Sequence, residues 1–299
     1  MVQEVLAALS VQPNGRYIDG TLGEAGHSLA ILESTQPAPL LLGIDLDSQT
    51  IERARTRLAG FSDRVTLVHG SYADMTGIAG ANGFHPADGV LLDLGISSLQ
   101  LESAERGFSF QHEARLDMRF DPSQTRTAHD VVNGYDEHDL ADVIYELGEE
   151  RASRRIAKAI VQNRPVETTI QLAGIVLSVM GRRPGSRIHP ATRTFQAIRM
   201  EVNAELENVR AGITEALAVL KPSGRLAVIS YHSIEDRVVK NMLRRESSRC
   251  ICPPETPVCT CGHIPTVRLV SRRVIKPSRD EVASNPRSRS AKLRVAEKL

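Results

Sequence analysis

The chain has 299 residues, 41% hydrophobic and 24% charged, which suits one large domain or a core with an inserted subdomain and excludes the disordered, collagen-like and coiled-coil classes. Tryptophan is absent and aromatics make up 4%, which disfavours a groove lined with stacking rings. No apolar run approaches the roughly 20 residues needed to span a bilayer, and residues 1–14 carry Glu4 but no Lys or Arg, so the expectation is a cytoplasmic protein without a membrane partner. The net charge of +1 hides an asymmetry: residues 237–299 hold 15 Lys/Arg against 5 Asp/Glu, and the rest holds 22 against 31. A basic end beside an acidic body fits a polyanionic partner or, equally, a solvated tail.

The first hundred residues alternate between strand-like and helix-like segments. Arg16-Tyr17-Ile18-Asp19 reads as a strand running into Gly20-Thr21-Leu22-Gly23-Glu24-Ala25-Gly26-His27, and a helix carrying Leu29, Ile31 and Leu32 follows. Residues 40–45 form a second strand, apolar on consecutive positions as a strand covered on both faces should be. A helix over 48–58, a third strand over 64–69 and a fourth over 89–93 complete a parallel α/β pattern. From about 103 to 199 the period becomes helical: Leu140, Val143, Ile144 and Leu147, then Ile156 and Ile160, then a helix over 170–180. This predicts a helical insertion over 104–199 in a sheet domain built from 1–103 and 200–299. Leu206, Val209, Ile213, Leu217 and Leu220 mark one further helix, ended by Lys221-Pro222-Ser223-Gly224. A fifth strand over 225–230 follows, 268–275 and 292–296 can close as an antiparallel pair, and 285–290 reads as a loop.

The glycine cluster follows a strand and opens a helix, where backbone N–H groups and the helix N-terminus can meet a polar ligand. Its spacing, Gly20-x-x-Gly23-x-x-Gly26, is not the dinucleotide fingerprint, which disfavours a nicotinamide oxidoreductase. Asp19 precedes the turn, where it can accept from an ammonium group. Asp45 ends strand two, 22 residues after Gly23, where an acid can bind ribose hydroxyls. Two such acceptors and no pyrophosphate cradle suit S-adenosylmethionine; the alternative is a turn that merely packs helix on strand. Asp93 ends strand four and points to the sheet's working edge, or else caps the following loop. Tyr72, just past strand three, can flank an adenine ring or simply pack.

All four cysteines fall in two C-x-C pairs, Cys250/Cys252 and Cys259/Cys261. In a cytosolic protein such pairs suit a tetrathiolate zinc knuckle better than disulfides, although C-x-x-C is the usual spacing; free thiols are the equal alternative, and four thiolates leave no open position for a catalytic metal. Arg182, Arg183, Arg187, Arg193 and Arg199 lie within eighteen residues that contain no acid, a strip able to follow a phosphate backbone or a solvated loop.

The segment Asp19-Gly20-Thr21-Leu22-Gly23-Glu24-Ala25-Gly26-His27-Ser28 resembles the cofactor motif of the bacterial 16S rRNA cytosine-N4 methyltransferases, the MraW family. The blocks at 91–98 (LLDLGISS), 105–110 (ERGFSF), 116–119 (LDMR), 189–196 (HPATRTFQ), 230–237 (SYHSIEDR) and 285–290 (NPRSRS) are similar to that family's signatures, in order along nearly the whole chain. The resemblance implies a class I, Rossmann-like methyltransferase sheet with a helical insertion after strand four that serves RNA recognition. It implies cofactor contacts at Ala25, Gly26, His27, Asp45, Tyr72, Asp93 and Gln100, S-adenosyl-L-methionine as methyl donor, and 16S rRNA or the small ribosomal subunit as partner. The implied activity is methylation of the exocyclic N4 amine of a cytidine in the decoding region.

Two departures from the family pattern stand out. Ala25 occupies a position where the family commonly has Gly, and the His-x-Pro-Val segment ahead of Glu4-Val5-Leu6 is missing. Many amino-methyltransferases bring hydrogen-bond acceptors to the amine on an Asp/Asn-Pro-Pro-aromatic motif; here the stretch is Asp93-Leu94-Gly95-Ile96. Asp93 can serve the cofactor, the amine or both. Asp117, His232 and Asp236 are further polar candidates, with a salt bridge to Arg119, a loop-fixing hydrogen bond and a helix cap as their respective structural alternatives. No residue is assigned as general base.

Overall fold

The structure, a computed structural model, describes residues 1–181 and 189–299. The chain divides into two compact units, Met1–Gly95 with Leu206–Leu299, and Ile96–Glu205.

The first unit is built on seven strands: β1 (Arg16–Asp19), β2 (Leu40–Asp45), β3 (Val65–His69), β4 (Ala87–Asp93), β5 (Leu220–Ser230), β6 (Val267–Leu269) and β7 (Lys292–Lys298). They form one sheet in the order β3-β2-β1-β4-β5-β7-β6. Strands β1 to β5 run parallel, and β7 runs antiparallel to both β5 and β6. A parallel sheet with one reversed strand near its edge is the class I methyltransferase sheet, as the sequence predicts. Its strands are apolar at consecutive positions because successive side chains enter two different cores. Ile18, Leu42, Leu92 and Val228 enter one, under the helices Met75–Ala81, Glu205–Val219 and Ser233–Glu246. Tyr17, Leu41, Leu91 and Ala227 enter the other, under Val2–Leu9, Gly26–Glu33 and Ser48–Arg57.

Boundaries differ from the sequence reading at two places: the second unit runs over Ile96–Glu205 where the sequence predicts 104–199, and β5 begins earlier than predicted. The helix ends at Val219 and β5 starts at once, with Leu220 beside Ala87, before the register shifts so that Arg225 pairs Gly89. Residues 221–224 thus form an irregularity inside the strand, tied by an ion pair between Lys221 and Asp88, and not a helix stop. The closing antiparallel pair forms over Val267–Leu269, with a further isolated bridge from Ile275 to Leu293. The expected loop at 285–290 contains a 3-10 turn, Pro286–Ser290.

The second unit packs the helices Ala128–Gly134, Glu137–Glu146, Ser153–Gln162, Thr169–Met180 and Thr192–Val202 around their own apolar core, which includes Leu140, Ile144, Ile156, Ile160, Leu172 and Phe195. Thr127 and Thr168 open two of these helices as reciprocal capping boxes, with Asp130 and Gln171 as their partners. The loop before them is fixed by buried polar contacts. The Asn203 side chain accepts from Phe120 N at 2.7 Å and donates to Met118 O at 2.8 Å. Gly107 has φ +70, and a β-carbon there would overlap the carbonyl oxygen of Arg115, so only glycine fits. No helix among the described residues is long and apolar enough to cross a membrane.

Candidate active site

The carboxyl ends of β1, β2 and β4 bring together most of the polar residues singled out in the sequence. In β1, Asp19 is 1% exposed. Its carboxylate accepts from Thr21 N at 3.2 Å and from the Ser28 hydroxyl at 2.7 Å, joining the turn to the helix that follows. Burial pushes its pKa up to about 6 against these stabilising contacts. In β2, Asp45 accepts from Gly23 N and from Asp47 N, both at 2.9 Å, so the acid that ends strand two holds the glycine turn of strand one. Burial raises its pKa as well, partly offset by those two N–H groups.

Ala25 sits at the N-cap of helix Gly26–Glu33 in the left-handed region, φ 58 and ψ 28, fully buried. This is a conformation that glycine adopts without strain and alanine does not, which gives a physical reason for the family's usual residue. At Gly26 a β-carbon would meet nothing within 4 Å: open space lies over the first turn of the helix.

Asp93 ends β4. Its backbone N–H donates to Thr21 Oγ1 at 2.6 Å, its Oδ1 accepts from the Tyr231 hydroxyl at 2.9 Å, and its Oδ2 lies 3.6 Å from His27 Nε2. Burial pushes the Asp93 pKa up to about 6, with the Tyr231 hydrogen bond pulling it back. Burial lowers the His27 pKa below its ordinary value, leaving a neutral imidazole at pH 7. The His27 Nδ1 atom is buried and has no hydrogen-bond partner among the described residues.

Two further predicted contacts are Tyr72 and Gln100. Tyr72 lies in the 3-10 turn Tyr72–Asp74; a β-carbon on Gly20 of the glycine turn would lie 3.1 Å from its Cβ, and a side chain on Gly212 of helix Glu205–Val219 would overlap its ring. Gln100 belongs to the second unit. Its side chain accepts from Ser97 N at 3.1 Å in the capping box of helix Ser98–Glu102.

A sequence model described as the MraW methylase family matches residues 1–299. The chain belongs to the MraW methylase family. Among curated relatives it is similar to the ribosomal RNA small subunit methyltransferase H of Dehalococcoides mccartyi, 50% identical over 299 residues, covering 100% of this chain and 85% of the relative. The protein of the same name from Syntrophotalea carbinolica is 51% identical over 303 residues, covering 100% and 96%. A solved rRNA methylase from Streptococcus thermophilus is a remote structural neighbour, with TM-score 0.43, 10% identity and coverage of 98% and 92%.

The MraW chain is therefore an S-adenosylmethionine-dependent methyltransferase, and the acidic residues at the carboxyl ends of β1 and β4 have the chemistry to meet a positively charged cofactor. Asp19 is a buried carboxyl and Asp93 a half-buried one, and neither has a lysine or arginine partner among the described residues. A buried carboxylate without a cation is costly, and a ligand carrying an ammonium and a sulfonium relieves that cost. The orphaned Nδ1 of His27 is a further polar group able to meet a ligand.

Several residues at this edge escaped the sequence reading. Thr21, Ser28 and Tyr231 lie inside family-like blocks but received no role of their own in the sequence, and each holds a site carboxylate or its backbone. Tyr231 directly follows β5, whose Ile229 pairs Asp93 in register, and that is the signal by which it could have been found.

The other polar candidates make structural contacts, and only Asp117 makes the one expected of it. Asp117 forms a bidentate pair with Arg119 at 2.9 and 2.7 Å. His232, not Asp236, caps helix Ser233–Glu246, its Nδ1 accepting from Glu235 N at 3.4 Å. Asp236 instead binds Arg294 at 2.6 Å and Lys292 at 3.4 Å in β7. With Arg268 bound to Glu297 at 2.6 Å, part of the basic end is neutralised within the unit.

Of the arginine strip, Arg182, Arg183 and Arg187 lie outside the described residues, and Arg193 donates to Glu149 O at 3.2 Å. Arg199 is locked bidentately on buried Glu205 at 2.7 and 2.9 Å, a structural pair with no charge to offer a phosphate. Exposed cations gather instead at Arg151, Arg154, Arg155 and Lys158, along and just before helix Ser153–Gln162.

Proposed function

We propose that the protein methylates the exocyclic N4 amine of a cytidine in the decoding region of 16S rRNA. The observation that carries this reading is the full-length likeness, at about half identity, to proteins named ribosomal RNA small subunit methyltransferase H. In this reading Ala25, Gly26, His27, Asp45, Tyr72, Asp93 and Gln100 hold the cofactor, with Asp45 accepting from the ribose hydroxyls. Each Asp45 oxygen takes one backbone N–H and retains accepting capacity for a second donor.

When bound, S-adenosylmethionine supplies an electrophilic methyl group on a sulfonium. A cytosine amine is a weak nucleophile because its lone pair is conjugated into the ring. The protein's task is to hold that nitrogen in line with the methyl and to accept hydrogen bonds from its N–H groups as conjugation is lost. Asp93 suits this acceptor role, since Tyr231 fixes one carboxylate oxygen and leaves the other facing neutral His27. No general base is required. The methylated nitrogen is strongly acidic until its conjugation returns, and its proton passes to water.

The 96–205 unit is the RNA-recognition part of this proposal, with Arg151, Arg154, Arg155 and Lys158 as phosphate contacts. Cytoplasmic action on the small subunit or its rRNA follows from the same reading. The test is nucleoside mass spectrometry of 16S rRNA from cells lacking the protein, with and without a plasmid copy. Loss and restoration of a base methyl at one decoding-region cytidine is the expected result; an unchanged methylation pattern overturns it.

A further inference from the structure

The segment joining helix Ser233–Glu246 to β6 has no regular secondary structure over residues 247–266. Its apolar side chains do not form a core: Val258 is 73% exposed and Ile264 is 77% exposed. Its two ends are nevertheless pinned to the end of the helix. Thr266 N donates to Glu246 O at 2.9 Å, the Thr266 hydroxyl donates to Glu246 Oε2 at 2.7 Å, and His263 Nε2 lies 3.0 Å from Arg245 O. Something other than apolar burial must define the chain between these anchors, because short segments without a core are held by disulfides or metals.

All four cysteines of the protein lie in this segment, and their sulfurs converge. The Sγ atoms of Cys250, Cys252, Cys259 and Cys261 all lie within 4.8 Å of one another. Cys259 and Cys261 are 3.5 Å apart and Cys261 and Cys250 are 3.9 Å apart. A disulfide needs about 2.05 Å, so these contacts are non-bonded. Four sulfurs at about 2.3 Å from a shared tetrahedral centre would stand about 3.8 Å from each other, close to these two separations. The backbone completes the pattern: Ile251 N donates to Cys261 Sγ at 3.5 Å, the kind of N–H contact that steadies a thiolate.

We propose that Cys250, Cys252, Cys259 and Cys261 bind one structural zinc ion as a closed tetrathiolate site. Binding displaces four thiol protons to solvent and leaves a site of net charge −2, beside Arg249 in sequence. Six residues separate the two C-x-C pairs, among them Pro253, Pro254 and Pro257, which stiffen the loop that brings the pairs face to face. The site stands apart from the methyl-donor pocket: none of its residues is among the candidate cofactor contacts. Its role is to staple the 247–266 segment, and through it the approach to edge strand β6.

The experiment is elemental analysis of the full-length protein, purified without added metal or chelator, with thiol counting on the same sample. One zinc per chain is expected, with four thiols that react only after a mercurial or chelator releases the metal in step. The double variant Cys259→Ser/Cys261→Ser should lose the zinc and become cleavable by protease within 250–261. Its circular dichroism and S-adenosylmethionine affinity should stay within about twofold of the parent. Less than about 0.2 zinc per chain with four freely reactive thiols, iron in place of zinc, or disulfides in protein prepared anaerobically would each overturn the assignment. Full zinc retention by the double variant would overturn it as well.

Discussion

The Tyr231 hydroxyl, one residue beyond the end of β5, donates to Asp93 Oδ1 at 2.9 Å and thereby fixes the carboxylate that ends β4. Both groups are half-buried, and the hydrogen bond holds the Asp93 pKa below the value that burial alone would give. Tyr231→Phe removes the donor while keeping the ring. The variant should fold, lose about 1–2 kcal/mol of stability, and show its acidic activity limb displaced upward from about pH 6. A pH–rate profile of methyl transfer, unchanged in position, would sink this role.

Asp45 joins β2 to the glycine turn after β1 through Gly23 N. Asp45→Ala should leave the circular dichroism spectrum intact and weaken S-adenosylmethionine binding by about 10- to 100-fold, the loss expected for one or two hydrogen bonds to a charged acceptor. Isothermal calorimetry reads this directly, and equal affinity in the two proteins would remove Asp45 from the cofactor site.

Asp19 and Asp93 both titrate near pH 6 when folded, raised from 3.8. The folded chain therefore binds more protons than the unfolded chain between those values, so these two groups make the protein less stable as pH rises from about 4 through 6. A cationic ligand favours the ionised carboxylates and reverses that loss. The gain in melting temperature given by saturating S-adenosylmethionine should be larger at about pH 7.5 than at about pH 5, and its affinity should fall below about pH 6. A cofactor-induced shift that is equal at both pH values would show that the carboxylates do not sense the ligand's charge.

Ala25 carries φ 58, and Gly107 carries φ +70 against the Arg115 carbonyl. The two positions should respond in opposite directions. Ala25→Gly should be neutral or stabilising by up to about 1 kcal/mol, while Gly107→Ala should cost about 3 kcal/mol or more, because the backbone must move to admit the methyl. Chemical denaturation of both variants tests the pair.

Replacing Arg154, Arg155 and Lys158 with Glu should weaken binding to 16S rRNA and flatten its salt dependence. The log–log slope should fall by about 0.7 to 0.9 for each phosphate that is no longer neutralised. S-adenosylmethionine affinity should be unaffected. Filter binding across a salt series would show an unchanged slope if the helix faces solvent and nothing more.

The sequence exposes the sheet most clearly where physics leaves least choice. Strands β1, β2 and β4 are covered on both faces, so their apolar runs stand out, and their terminal acids Asp19, Asp45 and Asp93 mark the polar edge. The start of β5 misleads because Lys221-Pro222-Ser223-Gly224 carries the turn chemistry of a helix stop, and the strand absorbs it as an irregularity. Charge counting finds Arg199 but cannot see that Glu205 lies against it. Tyr231 stays hidden for a related reason: its partner is 138 positions away in the chain, and only the β4–β5 register joins them.

The insertion of residues 96–205 between β4 and β5 orders events on the ribosome. When Gly95 has been made, β3, β2, β1 and β4 exist, but β4 has an open edge and lacks Val209, Ile213 and Leu226 from its core. The helical unit is one continuous stretch and can complete its own core as soon as Glu205 emerges. The half-built sheet must wait for β5, and then for β7, which is the last strand translated although it lies inside the sheet. Synthesis therefore finishes the inserted helices before the surrounding methyltransferase sheet, and premature termination anywhere before residue 292 leaves β5 with an unpaired edge.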